Sequence, residues 1–181
     1  MSSTNNPQQR FGKLLIVDDE PEILQTLVEI LQPLCSEIKT ASNGSEALEI
    51  FKSNEVDAVL TDIKMPKMTG LQFLAEIRSQ FYHTPVVILT GHGDKENMLE
   101  ALRLDATDLL EKPFSIEIVK ETMSKALQLG RALREREIEI DKFLDDSNLP
   151  ADQLARVKKM KKITSAMKLG FSIYTSKNKI S

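Results

Sequence analysis

The chain is short of several residue types, and each shortage closes off a class of protein. One cysteine, Cys35, stands among 181 residues, so no internal disulfide framework exists and a reducing compartment is the natural setting. Tryptophan is absent, and aromatics make up only 5% of the chain. Of the two histidines, His83 and His92, neither has a cysteine or a second histidine beside it, which argues against a zinc centre. No apolar run approaches the ~20 residues needed to span a bilayer. Residues 1–10 are polar and lack an apolar stretch, so they read as a flexible N-terminus and not as a secretory signal. Cytoplasm is the expected location.

What is present is unevenly charged. The formal charge of −3 hides a segment from Asn148 onward at +7 and a remainder, Met1 to Ser147, at −10. An acidic body with a basic tail suggests two separate jobs.

Within the acidic body, short β-branched apolar runs alternate with helical spacing. Lys13–Val17, Val56–Leu60 and Pro85–Leu89 have the look of strands buried on both faces. Ile38–Ala41 and Thr107–Leu110 are shorter candidates. Between them, Ile23, Leu24, Leu27, Ile30 and Leu31 recur at helical spacing. Ala47, Leu48 and Phe51 do the same, as do Leu71, Phe73, Leu74 and Ile77, and then Met98, Leu99, Leu102 and Leu104. A fifth, long helix begins near Ser115, a plausible N-cap. Strands alternating with helices predict an α/β fold, a doubly wound parallel sheet with helices on both faces.

The polar residues fall where the strands end. The first strand runs into Asp18-Asp19-Glu20, the third into Asp62, the fourth into Thr90 and the fifth into Lys112. In open α/β sheets, ligands bind beyond the carboxyl ends of the strands, where the strand order reverses. An order of 2-1-3-4-5 brings Asp18, Asp19 and Asp62 together, with Thr90 and Lys112 alongside. Three crowded carboxylates call for a cation, and Mg²⁺ prefers a few carboxylates, several waters and a phosphate. Lys112 is suited to phosphate oxygens, Thr90 offers a hydroxyl, and an aspartate can act as nucleophile toward phosphorus. Singly, each signal is ordinary turn or capping chemistry. Their joint occurrence at four strand ends is not.

These segments resemble a known family. Asp18-Asp19-Glu20 after Leu-Leu-Ile-Val, Thr61-Asp62-Ile-Lys-Met-Pro66 through Gly70, Ile-Leu-Thr90-Gly-His-Gly-Asp94 and Glu111-Lys112-Pro113-Phe114 are similar to the motifs of response-regulator receivers. The resemblance covers about Phe11 to Leu127 and implies a flavodoxin-like, chemotaxis-regulator-like five-stranded sheet. It implies that Asp62 is the phosphoacceptor, and that Asp19 and Asp62 bind Mg²⁺ directly with Asp18 acting through water. The backbone carbonyl of Lys64 would complete the protein ligands. Thr90 and Lys112 would bind phosphoryl oxygens, and Pro113 would follow a cis peptide bond. A sensor histidine kinase or phosphotransfer protein is the implied partner, and the only chemistry is the chain's own phosphorylation and dephosphorylation. At the switch position, three residues before Lys112, the family usually has an aromatic. Here Leu109 stands there, which puts an aromatic-rotamer switch in question. Leu109 is read as packing against the fifth helix.

Past the receiver, residues 11–127, two segments remain. Residues 128–147 extend the fifth helix as a candidate coiled coil and dimerisation element. Ile116, Val119, Met123, Ala126, Gly130, Leu133, Ile140 and Leu144 form its seam, which Glu137 interrupts. The helix resembles the signalling helix of nitrogen-regulatory-type regulators. Residues 148–181 form a basic amphipathic tail. Leu154, Val157, Met160, Ile163 and Met167 lie on its apolar face, and Arg156, Lys158, Lys159, Lys161 and Lys162 on the other. The tail suits a protein or polyanion partner, or else is simply a solvated face. A receiver-fold adaptor without phosphorylation is the competing reading. An aspartate-nucleophile phosphatase fits less well, since Asp18-Asp19 lacks the Asp-x-Asp spacing of such enzymes and no cap is available.

Overall fold

The computed structural model describes residues 11–80, 83–147, 149–157 and 160. Residues 1–10 and most of the tail, on which the flexible N-terminus and the apolar positions Ile163 and Met167 fall, lie outside the described residues. Strands β1 (Gly12–Val17), β2 (Cys35–Ala41), β3 (Ala58–Asp62), β4 (Val86–Thr90) and β5 (Asp108–Glu111) alternate with five helices. These are α1 (Pro21–Leu31), α2 (Gly44–Ser53), α3 (Gly70–Ser79), α4 (Lys95–Arg103) and α5 (Ile116–Asp145). All strand pairs are parallel in the order β2-β1-β3-β4-β5, the expected flavodoxin-like arrangement. Every described strand boundary lies within three residues of its sequence expectation.

Alternation along the strands divides the core into two layers. Leu15 and Val17 of β1 meet α2 and α3 through Ala47, Phe51, Phe73, Leu74 and Ile77. Leu14 and Ile16 face the other way, toward Leu27 and Leu31 of α1 and Val119, Met123 and Leu127 of α5. Phe51 and Phe73 meet edge to face at 6.2 Å and 84°, the geometry that the ring quadrupoles favour. Each fully buried Leu or Ile contributes about 2 kcal/mol of burial free energy, so the sheet is held rigidly and its strand ends are fixed platforms.

Local signals set the helix starts. Asn43 accepts the Glu46 N–H at the head of α2. Thr69 and Gln72 form a reciprocal capping box on α3. Ser115 accepts the Ile118 N–H at 3.3 Å, as its position before the long helix suggested.

The structure refines two readings. Leu99 and Leu102, whose spacing marked the fourth helix, are 56% and 41% exposed, and Ala101 is the residue α4 buries. Leu109 does not pack against α5: strand alternation turns it toward the α3 and α4 side, while Leu110 faces α5. The α5 seam also divides. Val119, Met123 and Ala126 belong to the receiver's own core, which leaves Leu133, Ile140 and Leu144 beyond it. No helix among the described residues is long and apolar enough to cross a membrane.

Candidate functional site

The carboxyl ends of β1, β3, β4 and β5 converge because the order 2-1-3-4-5 reverses direction between β1 and β3. Asp62 ends β3 and is 8% exposed, and Asp18 follows β1 fully buried. Lys112 bridges them, its Nζ lying 2.6 Å from Asp62 Oδ1 and 3.3 Å from Asp18 Oδ2. The remaining oxygens accept backbone donors. Lys64 N–H donates to Asp62 Oδ2 at 2.6 Å, and Glu20 N–H to Asp18 Oδ1 at 2.9 Å. Thr90, 1% exposed, ends β4, and its carbonyl accepts the Lys112 N–H at 2.8 Å. The Lys112–Pro113 peptide is cis, as the resemblance implied.

Gly70 explains how α3 comes so close to this floor. A Cβ there would lie 2.0 Å from the Asp62 carbonyl oxygen, so any side chain would push α3 off the strand carrying Asp62. Gly70 N–H meanwhile donates to the Ile63 carbonyl at 3.0 Å. The sequence analysis met Gly70 as the end of the motif that starts at Thr61, without this steric reason for it.

Burial pushes the Asp18 carboxyl up, and the Glu20 N–H and the Lys112 charge offset only part of that. Burial also works against the charge on Lys112, but its hydrogen bond to Asp62 and the two carboxylate charges outweigh this and raise it. Lys112 is therefore firmly cationic. It sets one positive charge between Asp18 and Asp62, apart from the divalent cation expected there.

Asp19 sits differently from the other two acids. Its side chain is exposed at the mouth of the site, and among the described residues no three His, Cys, Asp or Glu side chains are gathered around one point. Two buried carboxylates, an exposed third and backbone oxygens still fit the donor chemistry of Mg²⁺, which keeps several waters and needs few protein ligands. Asp62, Asp19 and the Lys64 carbonyl remain the candidate direct donors and Asp18 the candidate donor through water, with Asp18 and Asp62 buried and Asp19 exposed.

The other candidates lie apart. His92 is exposed, and its Nδ1 is 2.7 Å from Glu111 Oε1. His83 is half-buried in the loop before β4. Cys35 is buried in the α1–α5 layer, where burial pushes its thiol up to about 12. Sequence reasoning missed a contact across the mouth: Lys64 Nζ lies 3.0 Å from Asp94 Oδ2. The Lys two residues after Asp62 and the Asp four after Thr90 were its only signal.

Regulatory protein AtoC of Escherichia coli is 37% identical over 125 residues, 69% of this chain and 27% of that protein. Response regulator protein PilR of Pseudomonas aeruginosa is 34% identical over 117 residues, 65% of this chain and 26% of its own length. The chain thus spans about a quarter of these curated relatives. Among solved structures, a response regulator receiver domain protein from Clostridium thermocellum is 37% identical with a TM-score of 0.60. It covers 68% of this chain and 97% of its own. The receiver domain of NtrX from Brucella abortus is 34% identical with a TM-score of 0.58, covering 64% of this chain and 98% of its own. Residues 14–124, which hold every strand end of the site, match the response regulator receiver domain, and the chain belongs to that family.

Proposed function

We propose that the chain is a response regulator of a two-component phosphorelay, accepting a phosphoryl group on Asp62 from a sensor histidine kinase or phosphotransfer protein. The observation that carries this reading is the setting of the Asp62 carboxylate. It ends the central strand, lies 8% exposed, and has Lys112 on one oxygen and the Lys64 N–H on the other.

An Asp62 oxygen attacks the phosphorus of the donor. The bond from phosphorus to the donor's leaving group breaks, and a mixed anhydride remains on Asp62. Lys112, already within 2.6 Å of Asp62 Oδ1, is placed to stabilise charge developing on the transferring oxygens. Thr90 offers its hydroxyl from the end of β4. Mg²⁺ held by Asp18, Asp19, Asp62 and the Lys64 carbonyl would supply charge neutralisation of the phosphoryl oxygens. Attack by water on the phosphorus of the anhydride breaks its bond to Asp62, releases inorganic phosphate and returns the free carboxylate, so the chain acts chemically only on itself. Output would run through the α5 extension as a homodimer and through the basic tail toward a protein or polyanion, in the cytoplasm.

Incubating wild type and Asp62→Asn with acetyl phosphate, with and without Mg²⁺, and weighing the intact chains tests this reading. One phosphoryl adduct is expected on wild type, dependent on Mg²⁺ and absent from the variant. An adduct that persists on Asp62→Asn moves the acceptor elsewhere. No adduct on wild type leaves the unphosphorylated adaptor.

A further inference from the structure

Lys64 touches two places at once. Its backbone N–H donates to Asp62 Oδ2 at 2.6 Å, while its side chain reaches across the mouth to Asp94, with Nζ 3.0 Å from Oδ2. The side chain is 74% exposed, so the ammonium is free to choose its partner.

Asp94 is poised differently. It occupies the N-cap position of α4, yet its side chain makes no capping hydrogen bond. Oδ1 accepts from Asn97 Nδ2 at 2.8 Å. Oδ2 is buried and has no well-aligned hydrogen-bond donor, so the charge of Lys64 is what compensates it. The Asn97 hydrogen bond and then the Lys64 contact hold the Asp94 carboxyl below its usual range. A buried carboxylate oxygen that loses its one cation must find another donor, and the nearest unpaired donors belong to the first turn of any helix it heads.

We propose that the Lys64 side chain is a phosphoryl-contacting group, which exchanges Asp94 for a phosphoryl oxygen and thereby releases Asp94 to cap α4. The proposal rests on the reading of Asp62 as acceptor. The Lys64 end of its pair with Asp94 is 74% exposed, so solvent screening weakens the hold of Asp94 on the ammonium. A phosphoryl group brings a charge of about −2 and several strong acceptor oxygens. Lys112 is already divided between Asp18 and Asp62, so the new charge arrives where one cation serves two carboxylates. Lys64, attached two residues from the acceptor, is the second cation at the mouth. The far end of the exchange is an element able to respond: α4 buries only Ala101 among its residues and leaves Leu99 and Leu102 exposed. Little packing opposes rearrangement of its first turn.

The test uses the full chain with beryllofluoride and Mg²⁺ as the phosphoryl mimic, in wild type, Lys64→Met, Lys64→Arg and Asp94→Asn. Hydrogen exchange is read at the α4 amides of residues 95–98, and acetyl-phosphate adducts are weighed in parallel on wild type and Asp94→Asn. In wild type, the mimic should change exchange at these amides by roughly fivefold to tenfold, the factor carried by one capping interaction. Lys64→Met should show the mimic-bound exchange rates before any mimic is added, with no further change on adding it. Lys64→Arg should restore the wild-type response, which a merely structural role for the side chain would not require. Asp94→Asn should still take the adduct but lose the exchange response. If Lys64→Met responds as wild type does, or if Asp94→Asn keeps the response, the exchange is overturned while the acceptor reading stands. If wild type takes no adduct, both readings fail together.

Discussion

Asp18 shows what the site costs the fold. It is fully buried, and burial raises its pKa above the ordinary 3.8 in spite of the Glu20 N–H and Lys112. A carboxyl with a raised folded pKa binds its proton more tightly in the folded state. Its contribution to stability is therefore greatest below the unfolded pKa and is lost as pH rises through the folded value. At neutral pH the Asp18 charge is a net cost to the fold. Asp18→Asn should raise stability at pH 7 by about 1 kcal/mol, or about 2–4 °C in Tm for a chain of this size. Lys112 keeps Asp62 as a partner in this variant, so no cation is stranded. The gain should shrink as pH is lowered from 7 toward 4, because the raised Asp18 carboxyl takes up its proton more readily than an ordinary one. Thermal melts at the two pH values check this, and a gain equal at both would rule out the buried charge as its source. Asp18, Asp62, Thr90 and Lys112 were legible in the sequence because a polar residue ending an apolar run is conspicuous. Asp57 was not: it stands inside Val56-Asp-Ala-Val-Leu60, where one acid reads as an interruption and its partner lies far along the chain.

That partner sits on α5, and the link between the two elements holds the helix in place. Asp57, 1% exposed just before β3, accepts the Lys13 N–H at 2.8 Å and the Arg134 Nε at 2.6 Å. Arg134 Nη2 adds a second contact at 3.3 Å. Where α5 crosses this corner, a Cβ on Gly130 would stand 1.6 Å from the Asp57 carbonyl oxygen. The helix thus approaches β3 along bare backbone and is then clamped one turn later by Arg134. Gly130→Ala gains about 1 kcal/mol of helix propensity but must push α5 off the strand, at a cost of several kcal/mol in a close-packed contact. It should destabilise the chain by about 2 kcal/mol net. Arg134→Leu should cost a similar amount, about 2 kcal/mol, because it leaves the Asp57 carboxylate buried with only a backbone donor. The figure lies below that for a wholly buried pair since Arg134 is 30% exposed. Urea denaturation of both variants checks these values, and a Gly130→Ala chain as stable as wild type would mean that the helix can shift freely. The seam of α5 was only half legible for the same reason. Apolar residues at steps of three and four look alike whether they meet a second helix or the chain's own sheet, and Val119, Met123 and Ala126 meet the sheet. On α4, Leu99 and Leu102 have the right residue type but the wrong face.

Across the whole molecule, the receiver's acidity and the tail's basicity set up the longest-range effect. Residues 1–147 carry −10 and residues 148–181 carry +7, so removing the tail more than triples the net negative charge of the chain. Beyond the receiver, the seam positions of α5 are Leu133, Ile140 and Leu144, the last already buried within the chain, while Leu129, Ile138 and Phe143 off the seam are exposed at 39%, 42% and 74%. So short a seam makes a weak dimer by itself, and any stable assembly must draw on further contacts. Residues 151–157 are helical, and Leu154 is half-buried while Arg156 is exposed, which turns at least one tail cation toward solvent. If the tail serves a polyanion, its eight cations can release at most about eight counterions, so binding should fall with salt on a log–log slope no steeper than about −7. An apolar anchor in a protein groove would instead tolerate salt. The full chain and a chain ending at Ser147 should therefore be titrated with duplex DNA and with anionic vesicles at low and high salt. Binding by the full chain alone, falling steeply with salt, is the expected outcome. Equal binding by both chains would move the contact into the receiver. Binding that ignores salt would point to Leu154, Val157 and Met160, of which the last two are 38% and 66% exposed, as the contact instead of the charges.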